Sequence, residues 1–128
     1  MEVTRLARVL AVDDDPTILR LLQVNLEMEG HDVLTAENGQ SALEVIRAER
    51  PQVVLLDVMM PEMDGFQVCE AVRADPDIAD TPIVFVSARA QQADLDRGYA
   101  SGADGYITKP FDPLDLIETI ERLAPGRA

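Results

Sequence analysis

Val53-Val54-Leu55-Leu56-Asp57-Val58-Met59-Met60-Pro61 holds the fold of this chain in miniature. Four aliphatic residues in a row, with no polar alternation, read as a strand buried on both faces. Asp57 then interrupts a run that is apolar on either side. Placing a carboxylate there costs burial energy that a function or a partner must offset. Met59-Met60-Pro61-Glu62-Met63-Asp64-Gly65 reads as a loop, and Phe66, Cys69 and Val72 follow at helical spacing until Pro76. The unit is a buried strand, a polar residue at its end, a loop and an amphipathic helix.

The same unit recurs on both sides. Upstream, Ala7 to Val12 is a strand that stops at Asp13-Asp14-Asp15-Pro16, where Asp15 suits a helix cap and Pro16 the first helical position. Ile18, Leu21, Leu22 and Leu26 recur at helical spacing up to Gly30, a residue expected just past a helix end. His31, next to it, reads as an exposed turn residue. Val33 to Ala36 is a second strand, and Asn38-Gly39 opens a helix with Ala42, Val45 and Ile46 on one face. Downstream, Ile83 to Val86 is a strand ending at Ser87. Ala90 to Ser101 reads as a weaker helix, with Leu95 and Tyr99 on one face expected against the sheet or, alternatively, a partner. Gly105 to Thr108 is a fifth strand, and Pro113 to Leu123 a helix with Leu116, Ile117, Ile120 and Leu123 inward. Five strands alternating with five helices imply an α/β fold, a parallel sheet between helix layers joined by right-handed crossovers.

At 128 residues the chain has room for one domain, expected over 1–124 with 125–128 as a C-terminal tail or linker stub. A net charge of -13, from 24 acidic against 11 basic residues, repels nucleic acid and anionic membranes and favours a cation as partner. With a single cysteine, Cys69, and no apolar run near the roughly 20 residues of a membrane span, a cytoplasmic, reduced setting is expected.

Four strands end on a chemically capable residue: Asp13 and Asp14, Asp57, Ser87, and Lys109. In an open parallel sheet these ends share one rim, where the ligand crevice lies. Three carboxylates gathered there would repel one another without a cation between them, and an all-oxygen set suits magnesium. A carboxylate can also act as a nucleophile toward phosphorus, with Lys109 as a second positive charge and Ser87 as a hydroxyl donor.

The acidic pair Asp13-Asp14, the stretch Leu55 to Pro61 with Asp64-Gly65, Ser87-Ala88, and Tyr106 followed by Lys109-Pro110 together resemble the receiver domain of bacterial two-component response regulators. The resemblance covers about residues 7 to 123. It implies a flavodoxin-like, doubly wound sheet of strand order 2-1-3-4-5. It also implies a phosphoryl group passed to Asp57 from a sensor histidine kinase or phosphotransfer protein. Magnesium would be bound directly by Asp14 and Asp57, through water by Asp13, and by the main-chain carbonyl of Met59. Ser87 and Lys109 would hold the phosphoryl oxygens, and the Lys109-Pro110 peptide would be cis. Ser87 and Tyr106 would form a switch that reshapes the face of the fourth helix, fifth strand and fifth helix for a downstream protein or output domain. Met59 and Arg89 would flank the path of an attacking water, shield the phosphorus and slow its loss. Direct nucleic-acid or membrane binding is not expected, and a phosphorylation-dependent dimer is left open.

Two other classes can be weighed on the same residues. A flavin carrier needs amide-rich phosphate contacts after the first strand, where this chain places three aspartates. A magnesium-dependent phosphohydrolase with an Asp nucleophile is closer, yet no separate general acid is evident.

Overall fold

A computed structural model describes residues 7–124; the expected tail at 125–128 lies outside the described residues. Ten elements alternate strictly: β1 (Arg8–Val12), α1 (Pro16–Met28), β2 (Asp32–Ala36), α2 (Gly39–Glu49), β3 (Val53–Leu56), α3 (Gly65–Ala74), β4 (Ile83–Ser87), α4 (Gln92–Ala100), β5 (Gly105–Thr108) and α5 (Pro113–Leu123). The strands form one parallel sheet in the order β2-β1-β3-β4-β5, the flavodoxin-like arrangement that the resemblance implies.

Helix starts follow from side-chain chemistry. Asp15, Asn38, Asp64 and Asp112 each accept a hydrogen bond from a backbone N–H of the first turn they precede. Each such cap is worth about 1 kcal/mol and fixes where the chain leaves the sheet. Asp64 does so reciprocally, because Gln67 reaches back to the Asp64 N–H at 2.9 Å.

Alternate residues of the central strands feed two cores. Leu10, Val12, Val54, Leu56, Ile83 and Phe85 pack with α2 and α3, while Val9, Ala11, Val53, Leu55, Val84 and Val86 pack with α1 and α5. Burying a side chain of this size contributes about 1.5–3 kcal/mol. The sheet is therefore held from both sides.

Several expectations need correction in detail. On α1 the buried residues are Leu19, Leu22 and Leu26, whereas Leu21 is 47% exposed. Four leucines and an isoleucine crowd that helix, so apolar spacing alone did not single out the inward row. On α2, Leu43 joins Ala42 and Ile46 inside. His31 is buried, not an exposed turn residue, because its N–H bonds the Leu26 carbonyl at 3.1 Å and folds the connection back over the end of α1. On α4 the inward residues are Asp94 and Gly98; Leu95 is partly buried and Tyr99 half exposed, so they do not form the sheet-facing row. Among the described residues no helix is long and apolar enough to cross a membrane.

Candidate phosphoacceptor site

Strand register builds the site. Val12 lies beside Leu56, so the residues that follow them, Asp13 and Asp57, leave the sheet as neighbours. The Asp57 N–H donates to the Val12 carbonyl at 3.0 Å and fixes that placement. At the other side Ser87 pairs with Thr108, and the Lys109 N–H donates to the Ser87 carbonyl at 2.9 Å. Adjacent strands lie about 4.8 Å apart, so these ends reach one another through short side chains.

Carboxylate oxygens of Asp13, Asp14 and Asp57 all lie within 4.8 Å of one another. Asp13 and Asp57 are buried and Asp14 is exposed, so the group faces solvent on one side. The Lys109 ammonium donates to Asp13 Oδ2 at 2.7 Å and stands 3.7 Å from Asp57 Oδ1. The other Asp13 oxygen accepts the Asp15 N–H at 2.9 Å, so this nearly inaccessible carboxylate is bonded on both oxygens. Burial pushes the Asp57 carboxyl above its ordinary value, with the Asp13 and Asp14 charges acting the same way; the Lys109 charge and the Met59 N–H pull it back. Three carboxylates opposed by one ammonium, in an all-oxygen pocket open to water, fit a small hard cation such as magnesium.

Backbone geometry around Asp57 is tight. A side chain at Gly65 would collide with the Asp57 carbonyl oxygen, so the first residue of α3 must be glycine for the loop to close over the strand end. The Gly65 N–H bonds the Val58 carbonyl at 2.9 Å. Met59, two residues past Asp57, is 58% exposed beside the site. The Lys109-Pro110 peptide is cis, as expected.

A family model described as the response regulator receiver domain matches residues 9–121. The chain belongs to that family. Its architecture is that of the Vibrio cholerae chemotaxis protein CheY4, with a TM-score of 0.86 and 36% identity, covering 92% of this chain and 98% of that one. The Synechocystis DNA-binding dual master transcriptional regulator RpaA is 40% identical over 91% of this chain and 48% of its own length. Protein PilH of Pseudomonas aeruginosa is 40% identical over 94% of this chain and 100% of its own. The chain thus spans about half the length of the regulator RpaA and the full length of PilH.

Within this receiver domain the predicted residues come together in two groups. Asp13, Asp14, Asp57 and Lys109 form the acid pocket. Ser87, fully buried at the end of β4, belongs to a second group with Tyr106 and Arg89. The Arg89 N–H donates to Ser87 Oγ at 3.2 Å, and the Tyr106 hydroxyl donates to the Arg89 carbonyl at 2.5 Å. Burial raises the Tyr106 phenol above its ordinary value, and a hydrogen bond with the Ser87 hydroxyl works against that.

The Arg89 guanidinium is engaged by the buried Asp94 carboxylate at 3.0 Å, on the first turn of α4. Asp94 was not singled out from the sequence. Its one signal is the spacing Gln91-x-x-Asp94, a weak form of the reciprocal cap at a helix start.

Proposed function

We propose that this receiver domain, spanning 1–124, accepts a phosphoryl group on Asp57 from a sensor histidine kinase or phosphotransfer protein. The observation that carries the reading is the buried Asp57 carboxylate, at the end of the central strand, between two acids and the Lys109 ammonium. An Asp57 oxygen attacks phosphorus, the phosphorus–nitrogen bond of the donor imidazole breaks, and its electron pair returns to the ring. Asp14 and Asp57, with Asp13 through water and the Met59 main-chain carbonyl, would hold magnesium, which would supply positive charge against the incoming phosphoryl group. Lys109 is placed to turn from Asp13 to a phosphoryl oxygen. Ser87, at the end of the adjacent strand β4, offers a hydroxyl.

The Ser87–Arg89–Tyr106 connection supports the switch. A phosphoryl oxygen that draws the Ser87 hydroxyl also loosens its bond to the Arg89 N–H and its contact with the Tyr106 hydroxyl. Phosphorylation then shifts the population of arrangements at α4, β5 and α5, and by no more than its differential interaction with them. A downstream protein or an output domain of a longer chain reads that face, in a cytoplasmic setting. RpaA is named a DNA-binding regulator, and in a longer chain of that kind the DNA contact would fall to a segment other than this acidic domain.

Ser87→Ala tests the switch. With magnesium and beryllofluoride, the parent should change amide exchange most between Ser87 and Tyr106, and the variant should bind the mimic with a much smaller change there. An equal response in the variant would remove Ser87 from the coupling.

A further inference from the structure

Helix α4 buries little apolar surface of its own. Its buried residues are Asp94 and Gly98, and Leu95 is only partly covered. It rests on rings instead. A side chain at Gly98 would stand 3.0 Å from the Tyr106 ring and 3.2 Å from the Phe85 ring, so the helix backbone packs against both. One residue earlier, the exposed Arg97 sets its guanidinium over the Phe66 ring, 4.7 Å from the ring centre. A guanidinium is weakly hydrated and is drawn to the electron-rich face of a ring. Phe66 is 2% exposed, meets Phe85 edge-on at 5.3 Å between centres, and is the second residue of α3. Gly65 before it has no slack, because an added side chain would strike the Asp57 carbonyl oxygen and stand 3.0 Å from Phe85. Asp57, Gly65, Phe66 and Arg97 thus make one chain of contacts from the acid pocket to α4.

We propose that Arg97 is a positioning residue that couples α4 to the phosphoacceptor strand through the Phe66 ring, by a route that does not pass through Ser87. The proposal rests on the reading of Asp57 as phosphoacceptor and names a second line by which that site acts on the α4 face. The Asp57 carboxylate takes the Met59 N–H, and the loop from Val58 returns to the strand end where the Gly65 N–H meets the Val58 carbonyl. An Asp57 oxygen bonded to phosphorus, with a cation beside it, changes what that N–H and that loop are held by. Close-packed neighbours transmit such a shift instead of absorbing it, so the start of α3 moves with the loop and carries the Phe66 ring along. Arg97 follows the ring, and α4 with it. The connection of Ser87, Arg89 and Tyr106 shares no residue with this chain of contacts, so the two act in parallel on one helix. Each shifts the population of α4 arrangements only by its differential interaction with them.

Amide exchange at residues 92–100 is followed in the full chain with magnesium, with and without beryllofluoride. Ser87→Ala should keep a reduced response there, and Ser87→Ala combined with Arg97→Met should lose it. A response in the combined variant equal to that of Ser87→Ala overturns the proposal, as does a Ser87→Ala variant with no response left. Without the mimic, Arg97→Met alone should speed exchange at 95–100 by about two- to fivefold, the effect of losing an exposed cation–ring contact. Arg97→Met keeps the apolar stem and sits on the surface, so the fold is not at risk. The contact itself has a signature that a general loosening of the helix would not give. Ring currents of Phe66 should displace the Arg97 δ-methylene proton signals in the parent, and Phe66→Leu should return them to ordinary values. Undisplaced signals in the parent overturn the coupling whatever the exchange shows. A parent that gives no response to beryllofluoride around Asp57 fails the phosphoacceptor reading; a parent that responds there, with the residual surviving in the combined variant, fails the Arg97 route alone.

Discussion

Asp57 holds its charge against its surroundings. Its carboxyl is raised, first by burial and then by Asp13, so folding favours the protonated form more than the unfolded chain does. With a folded value above the unfolded one, ionisation at neutral pH costs stability, and the cost disappears as pH falls below the ordinary carboxylate range. Asp57→Asn should therefore raise the thermal midpoint at pH 7, and the gain should shrink toward zero as pH falls below the ordinary carboxylate range. Calorimetry at pH 7 and below that range checks both the sign and the trend. Lys109 carries the opposite burden. Its ammonium is the partner of the almost inaccessible Asp13 carboxylate, and Lys109→Ala leaves that charge buried with one backbone N–H. Breaking such a pair costs about 3 kcal/mol, read in urea unfolding without magnesium. Millimolar magnesium should return part of the loss, because a bound cation replaces the missing charge.

Among elements, the loops that enter β4 and β5 are tied together by a side chain from α3. The Arg73 guanidinium, from α3, donates to the carbonyls of Ala79, Thr81 and Gly102 at 2.7–2.9 Å and to Asp104 at 3.1 Å. One residue thus ties the loop before β4 to the loop before β5. Arg73→Met keeps much of the stem and abandons these acceptors, so a loss of about 2–3 kcal/mol is expected in denaturant unfolding. Faster amide exchange at 79–81 and 102–104 should accompany it. Such ties explain what could be read from the sequence and what could not. Strand type was legible because β3 and β4 are uninterrupted apolar runs bounded by Asp, Ser and Pro, and because caps such as Asp15-Pro16 are local, whereas the strand order rested on the resemblance. The acid pocket was legible for the same reason, since strand ends must share a rim. Arg73, Asp94 and buried His31 were not, because their partners or their burial depend on turns between elements that no periodicity encodes. Gly98 belongs with them: it reads as a weak point in a helix, yet a side chain there would stand 3.0 Å from the Tyr106 ring, so its absence makes room for that ring.

Over the whole molecule, a charge of -13 surrounds the two cores, and three of the acids behind it are closely spaced at the site. Sodium chloride should raise the thermal midpoint by screening, since the Debye length falls from about 30 Å at 0.01 M to about 10 Å at 0.1 M. Magnesium should raise it further at matched ionic strength, by mass action at the acid pocket, and Asp14→Asn should erase that excess while keeping the salt response. An undiminished magnesium excess in Asp14→Asn would place the cation elsewhere. The most direct measurement on the function is intact mass after incubation with acetyl phosphate and magnesium. The parent should gain one phosphoryl group, lost on treatment with base and retained in acid, and Asp57→Asn should remain folded and unlabelled. The same gain in Asp57→Asn would contradict Asp57 as the acceptor.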